Sequence, residues 1–217
     1  MVDETPPRRG IDVGVIRRVL AACACMGLLD ASAETYDVVG PCRSGLANGA
    51  YELRTPDGRL RVAGAFSQGR MTGTFIFWAA GGARLAVLPF DNDERSGTLA
   101  LWYTTPDGGS EAGHKLEAPY VDDRLHGIKR AWYADGTLRA EVRYDHGTLL
   151  EAHGWTPAGA ALPDAEARDL ALRDARDEEQ TYGSLVALVR AHLPACEPSS
   201  AAKKPLGVDR RPAKLHH

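Results

Sequence analysis

The side chains of this 217-residue chain that could do chemistry are its histidines, its acidic pairs and its cysteines, and metal ligation is the first chemistry to test. His114, His126, His146 and His153 fall at intervals that match no recognised ligand spacing, and no cysteine lies among them, so no metal site is predicted. Asp122-Asp123 offers two carboxylates, as a glycosidase requires, but adjacent strand residues point to opposite faces and the pair reads better as a turn. Asp91, Asn92, Asp93 and Glu94 make an oxygen-rich loop that could hold Ca2+, although it lacks the glycine and terminal glutamate of an EF-hand. The chain has no Gly-x-Ser-x-Gly nucleophile elbow. The sequence therefore nominates no catalytic residue, no cofactor-binding residue and no small-molecule substrate. A non-enzymatic function is expected, with a small enzyme of ungrouped site residues ranked last.

Three tryptophans carry a stronger spacing signal. Trp78, Trp102 and Trp132 each lie five residues after a glycine, namely Gly73, Gly97 and Gly127. Such a row could be a binding stripe for a peptide, glycan or lipid headgroup. It could also be the shared core ladder of a repeat protein, which is the more frequent cause of evenly spaced aromatics.

The elements that must position this row follow from the same period. Gly49, Gly73, Gly97 and Gly127 are separated by 24, 24 and 30 residues, and Phe66, Phe90, Tyr120 and Tyr144 by 24, 30 and 24. Two independent markers thus agree on one insertion of six residues in the third unit. Within each unit a strand-like run leads to Asp57-Gly58, Gly81-Gly82, Asp107-Gly108 or Asp135-Gly136, where glycine supplies the left-handed backbone of a hairpin turn. The run that follows alternates, as in Leu138, Ala140, Val142 and Tyr144 against Thr137, Arg139, Glu141 and Arg143. One hairpin alone is marginal in water, so the units must stack to bury their apolar faces. The expected fold is mainly β: tandem antiparallel β-hairpin repeats over residues 49–155, with units starting at 49, 73, 97 and 127. They would form an elongated sheet or shallow solenoid capped by a C-terminal helix.

The pattern Gly127…Trp132-Tyr133-x-Asp135-Gly136…Glu141-x-x-Tyr144-x-x-Gly147 resembles the bacterial variant of the MORN repeat, as found in proteins of the YwqK antitoxin-like type. The likeness covers about half of the chain and is strongest in the third and fourth units, where Glu117-x-x-Tyr120 and Glu141-x-x-Tyr144 recur. It is weakest in the second, where Gly81-Gly82 replaces Asp-Gly and Pro89 is expected to interrupt the strand. The resemblance implies an array used for protein or lipid-surface contacts, without catalysis. It also raises a second class of function, an antitoxin or immunity-like protein that neutralises a partner toxin.

Both flanks have their own signals. Arg17-Arg18, the uncharged run from Val19 to Leu29 and Ala31-Ser32-Ala33 have the form of a signal peptide over residues 1–33, cleaved after Ala33. A rival reading takes Leu20-Ala21-Ala22-Cys23 as a lipobox and anchors a lipoprotein at Cys23. Loss of the leader would leave Cys42 and Cys196, an even count that predicts a disulfide in an oxidising compartment. That bond would tie the capping segment 34–48 to a helical cap over 156–196. The helix is expected to start at Pro163-Asp164 with Asp164 as its cap, to break near Gly183, and to turn an acid- and arginine-rich first half to solvent. Its apolar stripe should comprise Tyr182, Leu185, Leu188, Val189, His192 and Leu193. Residues 197–217 are polar and read as a disordered tail. A formal charge of −3 leaves no basic footprint for nucleic acid. The expectation is an exported protein, periplasmic or extracellular, that offers a scaffold to a protein partner or a membrane surface.

Overall fold

The structure, a computed structural model, describes residues 35–197, so the leader, Cys23, the cleavage site and nearly all of the tail lie outside the described residues. β1 (Asp37–Val39) is followed by a small hairpin of β2 (Cys42–Arg43) and β3 (Leu46–Ala47). The array then runs through β4 (Gly49–Arg54), β5 (Leu60–Ser67), β6 (Arg70–Trp78), β7 (Arg84–Asp91), the short β8 (Glu94–Arg95), β9 (Gly97–Thr104) and β10 (Glu111–Val121). It ends with the short β11 (Arg124–Leu125), β12 (Gly127–Trp132), β13 (Leu138–Asp145) and β14 (Thr148–Gly154), before one helix, α1 (Asp164–Ala191). The strands form one open antiparallel sheet in the order β1-β4-β5-β6-β7-β9-β10-β12-β13-β14, with β8 and β11 paired only to β7 and β10. The elongated hairpin sheet with a C-terminal helix is therefore the observed fold. The capping segment belongs to the sheet itself, because β1 adds an edge strand with Val38 opposite Leu53.

Two turn chemistries alternate along the array. At the Asp-Gly ends only the glycine is left-handed, with φ of +85° at Gly58, +68° at Gly108 and +86° at Gly136. The Gly136 N–H donates to the Tyr133 carbonyl at 3.0 Å and the Tyr133 N–H to the Thr137 carbonyl at 2.9 Å, so Gly136 and Thr137 together oppose Tyr133. This is a type I turn closed by a glycine bulge. At the opposite ends both central residues are left-handed, as at Gln68-Gly69, Asn92-Asp93, Asp122-Asp123 and His146-Gly147, which is the type I′ turn. The second residue of each reaches back one unit. The N–H groups of Gly69, Asp93, Asp123 and Gly147 donate to the carbonyls of Ala47, Met71, Arg95 and Leu125 at 2.8, 3.0, 3.0 and 2.8 Å. Asp122-Asp123 is thus a turn, as its spacing predicts. Asp93 is engaged too: its Oδ1 accepts the Met71 N–H at 2.7 Å and pairs with Arg190.

The periodic glycines and aromatics turn out to be cross-strand partners: Gly49 faces Phe66, Gly73 faces Phe90, Gly97 faces Tyr120 and Gly127 faces Tyr144. All four glycines are left-handed, which explains the residue type. Pro89 does not interrupt its strand. A residue's N–H and C=O point to the same side of an antiparallel strand, and the Pro89 carbonyl accepts from Ser96 at 3.1 Å, beyond the end of the β7–β9 ladder at Ala86 and Val87. The missing donor therefore falls where no neighbouring strand requires it.

One face of the sheet carries the core. A single row crosses all the array strands as Leu53, Val62, Phe77, Ala86, Leu101, Leu116, Ala131, Ala140 and Gly154, each the register partner of the next. Tyr51, Phe66, Phe75 and Phe90 pack beside it in edge-to-face pairs 5.3–5.6 Å apart. Helix α1 covers this face by running across the strands. Over β14, a Cβ on Gly154 would meet Leu162, Ala167 and Leu170; farther along, Tyr182 meets Tyr120; at the helix end the His192 carbonyl accepts from the Tyr51 hydroxyl at 2.8 Å. Its 28 residues span about 42 Å, close to the roughly 43 Å width of nine inter-strand spacings. A helix of this length can run from the last strand back towards the first.

The helix departs from the sequence reading in three respects. Pro163, not Asp164, occupies the cap position and makes no side-chain cap bond; Asp164 is the first helical residue and, with Glu166, places negative charge at the positive end of the helix dipole. The helix does not break at Gly183, where an added Cβ would meet nothing within 4 Å and the packing residues on either side hold the axis. Its first half is solvated at Asp164, Glu166, Arg168, Asp169, Arg173, Arg176 and Asp177, as expected, but not at Asp174. The buried stripe is Ala167, Ala171, Asp174, Tyr182 and Val189, with Glu178 and Leu185 in step, while Leu193 beyond the helix is exposed. Just past it, Cys196 is bonded to Cys42, with Cα atoms 5.6 Å apart and a sequence separation of 154.

Candidate functional site

The face of the sheet away from α1 is where the tryptophans lie. Trp78 shares a face with Ile76, Trp102 with Ala100 and Trp132 with Arg130, and none of the three belongs to the core cluster. The core-ladder reading of the evenly spaced aromatics therefore fails, because the strand parity that puts Phe77 and Leu101 inward puts their neighbours outward. At Trp78 and Trp132 the ladder shifts by one residue, with Leu85 and Arg139 as the extra residues of the partner strands.

The row is filled in by cations and imidazole. Arg84 is the register partner of Trp78, and its guanidinium lies 4.0 Å from the ring centroid of Trp102, held there by Glu111 at 3.1 Å. His114 packs edge-on between Trp102, at 5.2 Å, and Trp132, at 5.8 Å. This sandwich explains why Trp102 is only 7% exposed on a face that, among the described residues, no other element covers. Beside Trp78, an open groove of about 660 Å³ is lined by Ile76, Arg84, Gly82, Ser110 and Glu111. Next to the row the outer face changes along its length. The register series Ala63, Ile76, Val87 and Ala100 is small and apolar, whereas Glu117, Arg130, Glu141 and His153 continue it as alternating charges. Arg130 and Glu141 pair at 2.9 Å, and Arg143 and Glu151 at 3.1 Å. The arrangement can receive an extended or flat apolar ligand at one end and a charged one at the other.

Under the helix lies a second polar region. Lys129, 2% exposed, sits among core residues of β12, and its Nζ is 2.6 Å from Glu178 Oε2. One turn earlier, Asp174 accepts from Arg139 at 2.7 Å. Burial raises the Glu178 carboxyl above its usual range, and the adjacent Lys129 charge pulls it back down. Burial also pushes the phenols of Tyr120 and Tyr182 well up, so both remain neutral. The cavity of about 500 Å³ beside this cluster is lined by Arg95, Tyr120, Arg124, Leu172, Arg176 and Glu178. Arg95 is already taken, by Asp123, by Glu179 at 2.8 Å and by the Tyr120 ring at 4.5 Å. The cluster ties helix to sheet.

Of the four array histidines, His114 joins the tryptophan row and His153 pairs with Glu151 at 2.9 Å. His126 and His146 come together with ring centroids 4.5 Å apart, both against Asp145, although their spacing in the sequence predicts no shared site. The sequence reading also missed that the chain's fourth tryptophan, Trp155, continues the repeat. Trp155-Thr156-x-x-Gly159 repeats Trp132-Tyr133-x-x-Gly136, with the Gly159 N–H returning to Thr156 at 2.9 Å and Trp155 bridged to Ala161. The array thus extends beyond 155 by one more turn. The signal was legible, but the unit lacks its leading glycine, since Leu150 stands there. No family model matches this chain, and no curated protein is similar enough to it to count as a relative.

Proposed function

We propose that the chain is an exported, non-enzymatic repeat protein of the MORN type that binds a protein partner on the outer face of its sheet. The observation that carries this reading is the Trp78–Arg84–Trp102–His114–Trp132 row on the face left open by α1. Tryptophan and arginine supply much of the energy at protein interfaces, and here both are already immobilised, so little side-chain entropy remains to be lost on binding. The adjoining apolar series from Ala63 to Ala100 gives the row a dry flank, and the charged series beyond it gives register. The Cys42–Cys196 bond favours an oxidising compartment, and with it this reading over a cytoplasmic toxin-neutralising one. Among the described residues, no helix is long and apolar enough to cross a membrane.

The test is site-specific photocrosslinking in the native host, with the probe at Ile76 on the outer face or at Gln180 on the exposed side of α1. A discrete adduct from position 76 that disappears on Trp78→Ala plus Arg84→Ala, and that is missing from position 180, supports the reading. Adducts from position 180 alone would move the binding surface to the helix and overturn it, as would crosslinks to lipid only.

A further inference from the structure

We infer that His126, Asp145 and His146 form a surface site for a borderline divalent transition cation, with Zn2+ the best fit. The repeat itself creates the juxtaposition. The residue before a unit's glycine lies next to the first central residue of the following type I′ turn, as shown in the first unit, where Asn48 Oδ1 accepts the Gln68 N–H at 3.1 Å. The corresponding pairs are Thr72 with Asn92, Ser96 with Asp122, and His126 with His146. Only in the fourth unit are both positions histidine, and the strand residue before that turn is Asp145.

The donor atoms converge. Asp145 Oδ1 is 3.2 Å from His126 Nδ1 and 2.7 Å from His146 Nδ1, and the three residues' ligand atoms all lie within 4.8 Å of one another. A cation bound at 2.0–2.2 Å to each donor holds neighbouring donors roughly 3 to 3.5 Å apart, so small rotations of two solvent-facing rings would close the site. The backbone beneath is fixed: the His126 N–H donates to Pro119 at 3.0 Å, the Gly147 N–H to Leu125 at 2.8 Å, and Asp145 pairs with Thr148 across the turn. Two imidazoles and one carboxylate suit Zn2+, Ni2+ or Co2+ better than Ca2+ or Mg2+, which prefer all-oxygen sets. Three protein ligands leave at least one coordination position open to solvent or to a partner's side chain. The ligand side chains are 44–60% exposed, so micromolar affinity is expected. The site lies at the type I′ ends of the strands, away from the tryptophan row, and does not depend on the binding reading above.

Calorimetric titration of the full disulfide-bonded chain with Zn2+, repeated with Co2+ by absorbance, tests the site. His146→Asn is the informative variant, because asparagine tolerates the left-handed backbone there, where φ is +46°. His126→Asn removes the second ring, and replacing His216 and His217 by alanine removes the other histidine pair in the chain. One equivalent of Zn2+ that weakens at least tenfold in each of the two single variants and survives the tail replacement supports the site. Binding unchanged in His146→Asn, or lost with the tail histidines, overturns it.

Discussion

Lys129→Met removes one charge from the core while keeping most of the side chain's buried stem. Lys129 is 2% exposed and its partner Glu178 13%, so the substitution leaves a largely buried carboxylate without its counter-charge at 2.6 Å, the charge of Arg139 being the attraction that remains. Breaking a buried pair from one side costs about 3–5 kcal/mol. The pH dependence fixes the sign. The Glu178 pKa is raised in the folded chain by burial and lowered by Lys129, so without the lysine it rises further. An acid with a raised folded pKa imposes no penalty below its unfolded pKa and loses stability as pH rises through the folded one. The difference between Lys129→Met and the parent should therefore be small near pH 4 and full by pH 8. Urea unfolding followed by tryptophan fluorescence at both pH values measures it. Lys129→Met with Glu178→Leu should recover to within about 1 kcal/mol of the parent or exceed it, since a buried pair is often replaceable by apolar residues. A single variant within about 1 kcal/mol of the parent at pH 8, or a double variant as unstable as the single, would refute the reasoning.

Gly136 has φ of +86° and open space around it, so Gly136→Val should cost about 1–2 kcal/mol through backbone strain alone, and Gly136→Asn clearly less; equal melting temperatures for all three would reject the bulged turn. Reduction of the Cys42–Cys196 bond opens a loop of 154 residues, and the chain-entropy estimate puts its stabilisation at about 5 kcal/mol. Thermal melts with and without reductant should differ strongly, and Cys42→Ser should abolish the difference. A reductant-insensitive melt would show that the clasp contributes nothing.

The sequence by itself determined the repeat, because a 24-residue period in two residue types is a local property of the chain: Gly97 and Tyr120 announce a hairpin whatever surrounds them. It also determined where the helix begins and ends, and the pairing of Cys42 with Cys196. The tertiary structure decided which face each residue serves. Strand alternation says that Trp102 and Leu101 point opposite ways, but only the placement of α1 says which way is inward. The same holds for the helix, where Asp174 and Glu178 look like solvent residues until Arg139 and Lys129 are brought beneath them from strands 35 and 49 residues earlier. His126 and His146 likewise meet only because two turns are stacked, a distance that sequence spacing does not encode. Local conformation was legible because it depends on neighbours in the chain. The buried charges, the open aromatic row and the histidine site depend on how whole strands and the helix are laid against one another.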